Sequence, residues 1–234
     1  MSKTRPPSDA MVAIRPVKVW DLPTRLFHWV LVLVIAVAWL SGDQGNFTVH
    51  FIAGQVALGL LLFRLIWGFV GSDTARFKAF VPTPARLRDY VRAAGAGRSH
   101  LIVGHNPIGA AMVFALLAVL GLQVLTGLFA SENTWAFVSG PLARFIGTDL
   151  SETLTGFHKD WLFNILLGLI ALHVLAAFFH LFVKKDNLIR PMVTGTKDYP
   201  AQEIGSVPRL ASIWVALVLA LVVATGVWAL FTLV

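Results

Sequence analysis

The chain has 234 residues and no cysteine, and that absence excludes a good deal of chemistry. Iron–sulfur clusters, a thiolate haem ligand, disulfides and covalent haem attachment through C-x-x-C-H all require one. Charge is the second shortage, at 13% of residues against about 25% in an average soluble domain. The shortfall is concentrated in five apolar runs, which makes this an integral membrane protein. A cleavable signal peptide is not expected, because roughly 25 mostly polar residues precede the first run and no small-x-small site closes it. The first run is expected to be retained as a helix.

Turn and cap residues separate the runs. Asp21-Leu22-Pro23-Thr24 reads as a helix start, and the first span follows over 26–41 with His28 one turn inside it. Residues 42–46 form a turn rich in Gly, Asp and Asn. The second span starts near His50 and ends around Phe69. A long basic connection follows, to His105, and Asn106-Pro107 caps a third span over 108–129. Residues 131–155 are expected to form a loop, and the fourth span begins at Gly156. A polar connector over 186–207 precedes a fifth span, 210–233, that holds neither histidine nor charge.

Lysine and arginine set the expected orientation. Sixteen of the nineteen fall in the N-terminal flank, the 71–107 connection and the 184–209 connector. Only Arg144 and Lys159 lie on the other side, with Arg64 near the end of the second span. This distribution predicts a cytoplasmic N-terminus and a periplasmic C-terminus. It also accounts for the net charge of +7 as topology, so no nucleic-acid partner is expected. The opposite face carries Asp43, Glu132, Asp149, Glu152 and Asp160 and is net acidic.

Histidine is the remaining nitrogen ligand, and four histidines sit inside apolar spans, where an imidazole is costly unless something binds it. His158 and His173 lie fifteen residues apart, roughly 22 Å along a helix. By depth, His28 pairs with His173 and His50 with His158. Each pair can hold a haem iron from both sides, and an iron closed by two histidines passes electrons without binding substrate. Zinc fits less well, since it favours four ligands around one point. The bland alternative is a set of histidines that only hydrogen-bond neighbouring helices. Gly54, Gly59 and Gly168 lie near the four histidines and would let a flat ring or another backbone approach. His180 rivals His173 for the inner position or serves at the interface. His100 and His105 are expected to be solvated, and Arg64 to snorkel to the interface.

Residues 19–29, Val-Trp-Asp-Leu-Pro-Thr-Arg-Leu-Phe-His-Trp, resemble the opening of the prokaryotic cytochrome b561 family, which includes the cytochrome b subunits of nickel–iron hydrogenases. Further matching motifs are His50 to Gly54, Phe63 to Phe69, Gly104 to Gly109, Leu172-His173 and Asp186 to Met192. Together they cover about residues 17–195. The resemblance implies an all-α integral membrane protein: a four-helix di-haem transmembrane bundle over 21–195, after a tail at 1–20. A connector and fifth C-terminal transmembrane helix complete it over 196–234. It implies two non-covalent b-type haems, one on His28 and His173, the other on His50 and His158. In the family a histidine–glutamate step commonly opens the fourth helix and the gap to the next histidine is one residue shorter. Here Lys159-Asp160 follows, an apparent insertion that turns His158 by about 100° unless a local bulge absorbs it.

The implied function is electron transfer across the inner membrane between the quinone pool and a periplasmic partner, a cytochrome c or a redox enzyme subunit. Arg64, His105 and His180 are candidate quinone or propionate contacts. Two readings compete with it. One is an enzyme that oxidises superoxide or another small donor and reduces quinone, with Lys159 or Arg144 as a cationic guide. The other is a haem-free structural or channel protein.

Overall fold

In lipid, a backbone segment must satisfy its own N–H and C=O groups, so apolar runs of this length become helices. The structure, a computed structural model, describes residues 13–96, 102–133, 137–203 and 206–233; His100 lies outside them. In chain order the elements are β1 (Ile14–Lys18), α1 (Leu22–Asp43), α2 (Phe47–Val70), α3 (Phe77–Phe80), α4 (Pro84–Gly95) and α5 (Pro107–Phe129). Strands β2 (Ser131–Glu132) and β3 (Val138–Ser139) follow, then α6 (Thr148–Gly156), a π-helical turn (Phe157–Leu162) and α7 (Phe163–Phe182). The chain closes with α8 (Ile189–Thr194), β4 (Thr196–Pro200) and α9 (Ile213–Leu233). Among the described residues, five helices are long and apolar enough to cross a membrane: α1, α2, α5, the continuous rod from α6 to α7, and α9. The expected helical membrane architecture holds.

The helix starts follow from side-chain caps. Asp21 accepts from the Thr24 N–H at 2.7 Å, Asn46 from Val49 at 3.3 Å and Asn106 from Gly109 at 2.7 Å. Each satisfies an N–H that has no partner inside its helix. One expectation fails: residues 148–155 are helical rather than loop. They are polar, so hydropathy ends the span at Gly156, yet nothing in Thr148–Thr155 breaks a helix. The 35-residue rod is about 52 Å long at 1.5 Å per residue, so it projects well beyond a hydrocarbon layer of about 30 Å. The basic connection likewise contains two helices, α3 and α4.

Helix α1 packs along α2, α2 against α5 and α9, and α5 against α7. Leu61, Leu120 and Leu166 meet in the middle of the bundle as a buried apolar layer. Helix α9 seals the other flank of α2, where Ala216 joins Phe63 and Trp67. A Cβ on Gly59 would stand 3.9 Å from Val227 and 4.0 Å from Val223. Gly59 therefore faces the fifth helix, at ordinary contact distance, and not the histidines. The start of α9 is tied down by Asp73 and Ser72, which accept from the N–H groups of Arg209 and Ala211.

At the N-terminal end, β1 pairs antiparallel with β4, Ile14 opposite Pro200 and Lys18 opposite Thr196. Val17, Val19 and Tyr199 form a small core beneath this pair. The chain enters β4 through Gly195, whose φ of +85° is left-handed and whose carbonyl accepts from Val19 and Trp20. No periodicity in the tail announces this sheet, because its partner lies more than 170 residues away.

Asp21 also accepts from Trp67 Nε1 at 3.1 Å and is buried with it. Asp21→Ala removes a cap, about 1 kcal/mol, and strands a buried indole N–H, a further 1–3 kcal/mol or so. Thermal unfolding in detergent should register a loss of about 2–4 kcal/mol, with Asp21→Asn losing less. Burial, then the nearby Asp186 carboxylate, pushes the Tyr199 hydroxyl up to about 12, and that hydroxyl donates to the Ile102 carbonyl at 3.4 Å. Between pH 10 and about 12 the unfolded tyrosine releases its proton while the folded one retains it, so stability falls as pH rises. Tyr199→Phe should remove that part of the alkaline loss in a pH series of melting curves.

Candidate functional site

The two ends of the bundle differ in charge, and each holds one pair of histidines. At the acidic end, His50 on α2 and His158 in the π-helical turn face each other with ring centroids 6.0 Å apart. At the basic end, His28 on α1 and His173 on α7 stand 6.3 Å apart. A metal–imidazole nitrogen distance of about 2 Å puts two axial imidazoles of one iron about 6 Å apart between centroids. Both pairs have that spacing, and the apolar layer of Leu61, Leu120 and Leu166 lies between them.

The acidic-end pair is held by its backbone surroundings. His50 Nδ1 lies 2.8 Å from the Ala38 carbonyl and His158 Nδ1 2.8 Å from the Gln123 carbonyl. A carbonyl can only accept, so each Nδ1 carries the proton and each Nε2 keeps its lone pair for a metal. Two glycines make room for the rings. A Cβ on Gly42 would lie 2.9 Å from His50 Nδ1, and one on Gly127 2.8 Å from His158 Cε1. Beside the pair, a cavity of about 370 Å³ opens between α1, α2, α5 and α7, with Gly54 and Lys159 in its wall. A Cβ on Gly54 would meet nothing within 4 Å.

The local bulge that the expected insertion near His158 would call for is present. The helix widens into a π turn over Phe157–Leu162, the bulge that an insertion requires if the flanking turns keep their faces. His158 and His173 then relate as if fourteen regular residues apart, about 40° from eclipse. Widening loosens the ladder, and two carbonyls in it accept side-chain amides instead: His158 from Gln123 at 2.9 Å and Asp160 from Asn164 at 2.6 Å. Gln123 therefore bonds His158 twice, through its side chain and its carbonyl. Sequence reading missed Gln123, Gly42 and Gly127. Gln123 left a trace, because it and Thr126 are the polar interruptions of an otherwise apolar third span.

At the basic end three expectations change or sharpen. Arg64 does not snorkel: it is 3% exposed, and its guanidinium lies over the Phe77 ring at 4.7 Å. Its position on the inner face of α2, against α3, gives it no route to the interface. His105 is not solvated either. Its ring sits between Trp20 at 4.6 Å and Phe80 at 4.5 Å. Burial first, then the charge of Arg64 and the nearness of His173, hold its pKa down to about 3, so the ring is neutral. His180 lies seven residues beyond His173 with its Nδ1 sealed and unpartnered. The structure brings His173 to His28 and leaves His180 outside that pair.

The prokaryotic cytochrome b561 family profile matches residues 19–195. The chain is 26% identical to the probable Ni/Fe-hydrogenase 1 B-type cytochrome subunit of Escherichia coli (strain K12), over 82% of this chain and 94% of that protein. It is 27% identical to the probable superoxide oxidase CybB of Yersinia pestis, over 71% and 90% respectively. A third relative, cytochrome b561 homolog 1 of Escherichia coli (strain K12), is 25% identical over 73% and 94%. No solved structure matches. With a family match across the whole four-helix region and histidines paired at iron-spanning distance, the chain belongs to the prokaryotic cytochrome b561 family, membrane b-type cytochromes that carry haem b and transfer electrons.

Proposed function

We propose that the chain is a two-haem conduit carrying electrons across the bacterial inner membrane, between the quinone pool at its basic, cytoplasmic end and a periplasmic redox partner at its acidic end. The observation that carries this reading is the pair of facing imidazole couples, 6.3 Å and 6.0 Å between centroids, at two depths. His28 and His173 hold one b haem; His50 and His158 hold the other. Each bound haem supplies a one-electron iron couple with no open position for substrate. The protein's part is to fix the ligands and exclude water. Ala38 and Gln123 hold the tautomers at the acidic end, and Gly42 and Gly127 admit the rings.

Residues 21–195 form the electron-carrying unit, with a tail at 1–20 and a connector and anchoring helix at 196–234. The basic flanks argue for a cytoplasmic N-terminus and a periplasmic C-terminus. Arg64, His105 and His180 lie at the basic end, where a quinone headgroup or a haem propionate would need polar partners. The named hydrogenase relatives support a redox enzyme subunit as the partner, and a c-type cytochrome must be a separate chain because cysteine is absent. One feature favours a second reading: Lys159 lines the cavity beside His50 and His158, where it can guide a small anion such as superoxide. Superoxide-driven quinone reduction by the purified chain, weakened in Lys159→Glu and at high salt, would select that reading.

Pyridine haemochrome quantitation on the purified chain is expected to give about two b haems. His28→Ala and His173→Ala should each lose the same haem, and His50→Ala and His158→Ala the other. A chain folded without haem overturns the proposal. Gly42→Leu and Gly127→Leu crowd His50 and His158 and are expected to disturb the acidic-end haem alone. That outcome reads as a change in one of two low-temperature α-band components.

A further inference from the structure

Among the described residues, seven side-chain nitrogen or oxygen atoms are sealed from solvent without a hydrogen-bond partner. Six of them gather at the basic end: Thr24 Oγ1, Arg25 Nε and His28 Nδ1 on α1, Arg64 Nη1 on α2, His105 Nδ1 before α5, and His180 Nδ1 on α7. The acidic end has only Gln123 Oε1. Thr24 and Arg25 lie four and three residues before His28, on the same side of α1. Asp21, one turn earlier, is bonded to Trp67, which lies one turn beyond Arg64 on α2. The two arginines therefore stand at one level, just toward the basic end from His28.

Among the described residues, neither guanidinium has a carboxylate to itself. Arg25 donates to the Val193 carbonyl through Nη1, which leaves Nε free. Arg64 is in electrostatic reach of Asp21, but that carboxylate already accepts from Thr24 and Trp67. Arg64 is buried, where a guanidinium with an idle N–H is costly, and Arg25 is half-buried; the group that matches either fork is a carboxylate. We propose that Arg25 and Arg64, with the Thr24 hydroxyl, receive the propionate carboxylates of the haem held by His28 and His173, and that their charge biases an electron shared by the two haems toward the basic end. The proposal rests on the two-haem reading above.

The direction of the bias follows from charge. Reduction removes one positive charge from an iron centre, so a nearby cation favours the reduced form and a nearby anion opposes it. The acidic-end cavity has Asp43, Glu132 and Lys159 as its charged lining, an excess of carboxylate. One electron leaving the acidic-end iron, Fe(II) to Fe(III), arrives at the basic-end iron, Fe(III) to Fe(II), and no proton or further reactant is required. Electron flow from the acidic face to the basic face is then the downhill direction.

The test is spectroelectrochemical titration of the full chain in detergent, where the two haems appear as two one-electron waves. Arg64→Leu and Arg25→Leu should lower the midpoint of the wave lost in His28→Ala by about 59 mV or more, which corresponds to a tenfold change in its reduction equilibrium. Arg64→Lys should stay near the wild type, and Asp21→Asn, which removes a negative charge at the same level, should raise that midpoint. Opposite signs from opposite charges are not the mark of a merely structural lesion. Two intact haems with unshifted midpoints in both leucine variants overturn the proposal. So does loss of quinol turnover in Arg64→Leu with midpoints unchanged, which would put the arginine on a quinone. If the leucine variants lose haem, the Arg64→Lys and Asp21→Asn pair decides, and equal midpoints overturn the proposal. A wild-type chain with fewer than two waves overturns the two-haem reading itself.

Discussion

An imidazole inside hydrocarbon needs a partner, and this fold is arranged around that need. Four histidines are placed on three helices so that they meet in two couples, and the rest of the bundle keeps them there. The leucine layer holds the couples apart. Helix α9 packs the outside of α2, the helix that carries His50 and Arg64. At the basic end the Asp21 carboxylate joins the start of α1 to the end of α2. The β1–β4 pair then ties the N-terminal segment to the connector behind α8.

The two ends solve the same problem differently. At the acidic end each ring is locked by a backbone carbonyl, and a widened helical turn is tolerated because Gln123 takes up the carbonyl it frees. At the basic end the Nδ1 atoms of His28, His105 and His180, and one nitrogen each of Arg25 and Arg64, are left without a hydrogen-bond partner. A bundle that satisfies one end internally and leaves the other rich in donors is asymmetric in the ligand chemistry it favours. For an electron carrier that asymmetry matters more than the near-identical spacing of the two couples, because it would distinguish irons held at the two ends electrostatically.

Much of this was legible along the chain. Five apolar runs, their Asp and Asn caps and the pairing of His28 with His173 and His50 with His158 follow from composition, spacing and depth. Other features were not. The polar start of the fourth helix was hidden because hydropathy reports burial in lipid, whereas residues 148–156 are helical outside it. Gly59 stayed open between a flat ring and another helix, because a glycine beside a histidine looks the same whether it faces a cofactor or the fifth helix. His105 and Arg64 were expected at the wetted surface, and tertiary packing buries both.

The sequence by itself determined which segments are long and apolar enough to cross the membrane, which histidines fall at matching depths and which end of the bundle is basic, because these depend on local composition and on helix geometry. The tertiary structure decided that the fourth helix widens beside His158 against Gln123, which glycines admit the rings, that a strand from the tail closes on the connector, and where the unpartnered donors collect. Each of these is a contact between residues distant in the chain, set by which helix faces which, and an apolar helix with little amphipathic pattern does not announce its facing partner.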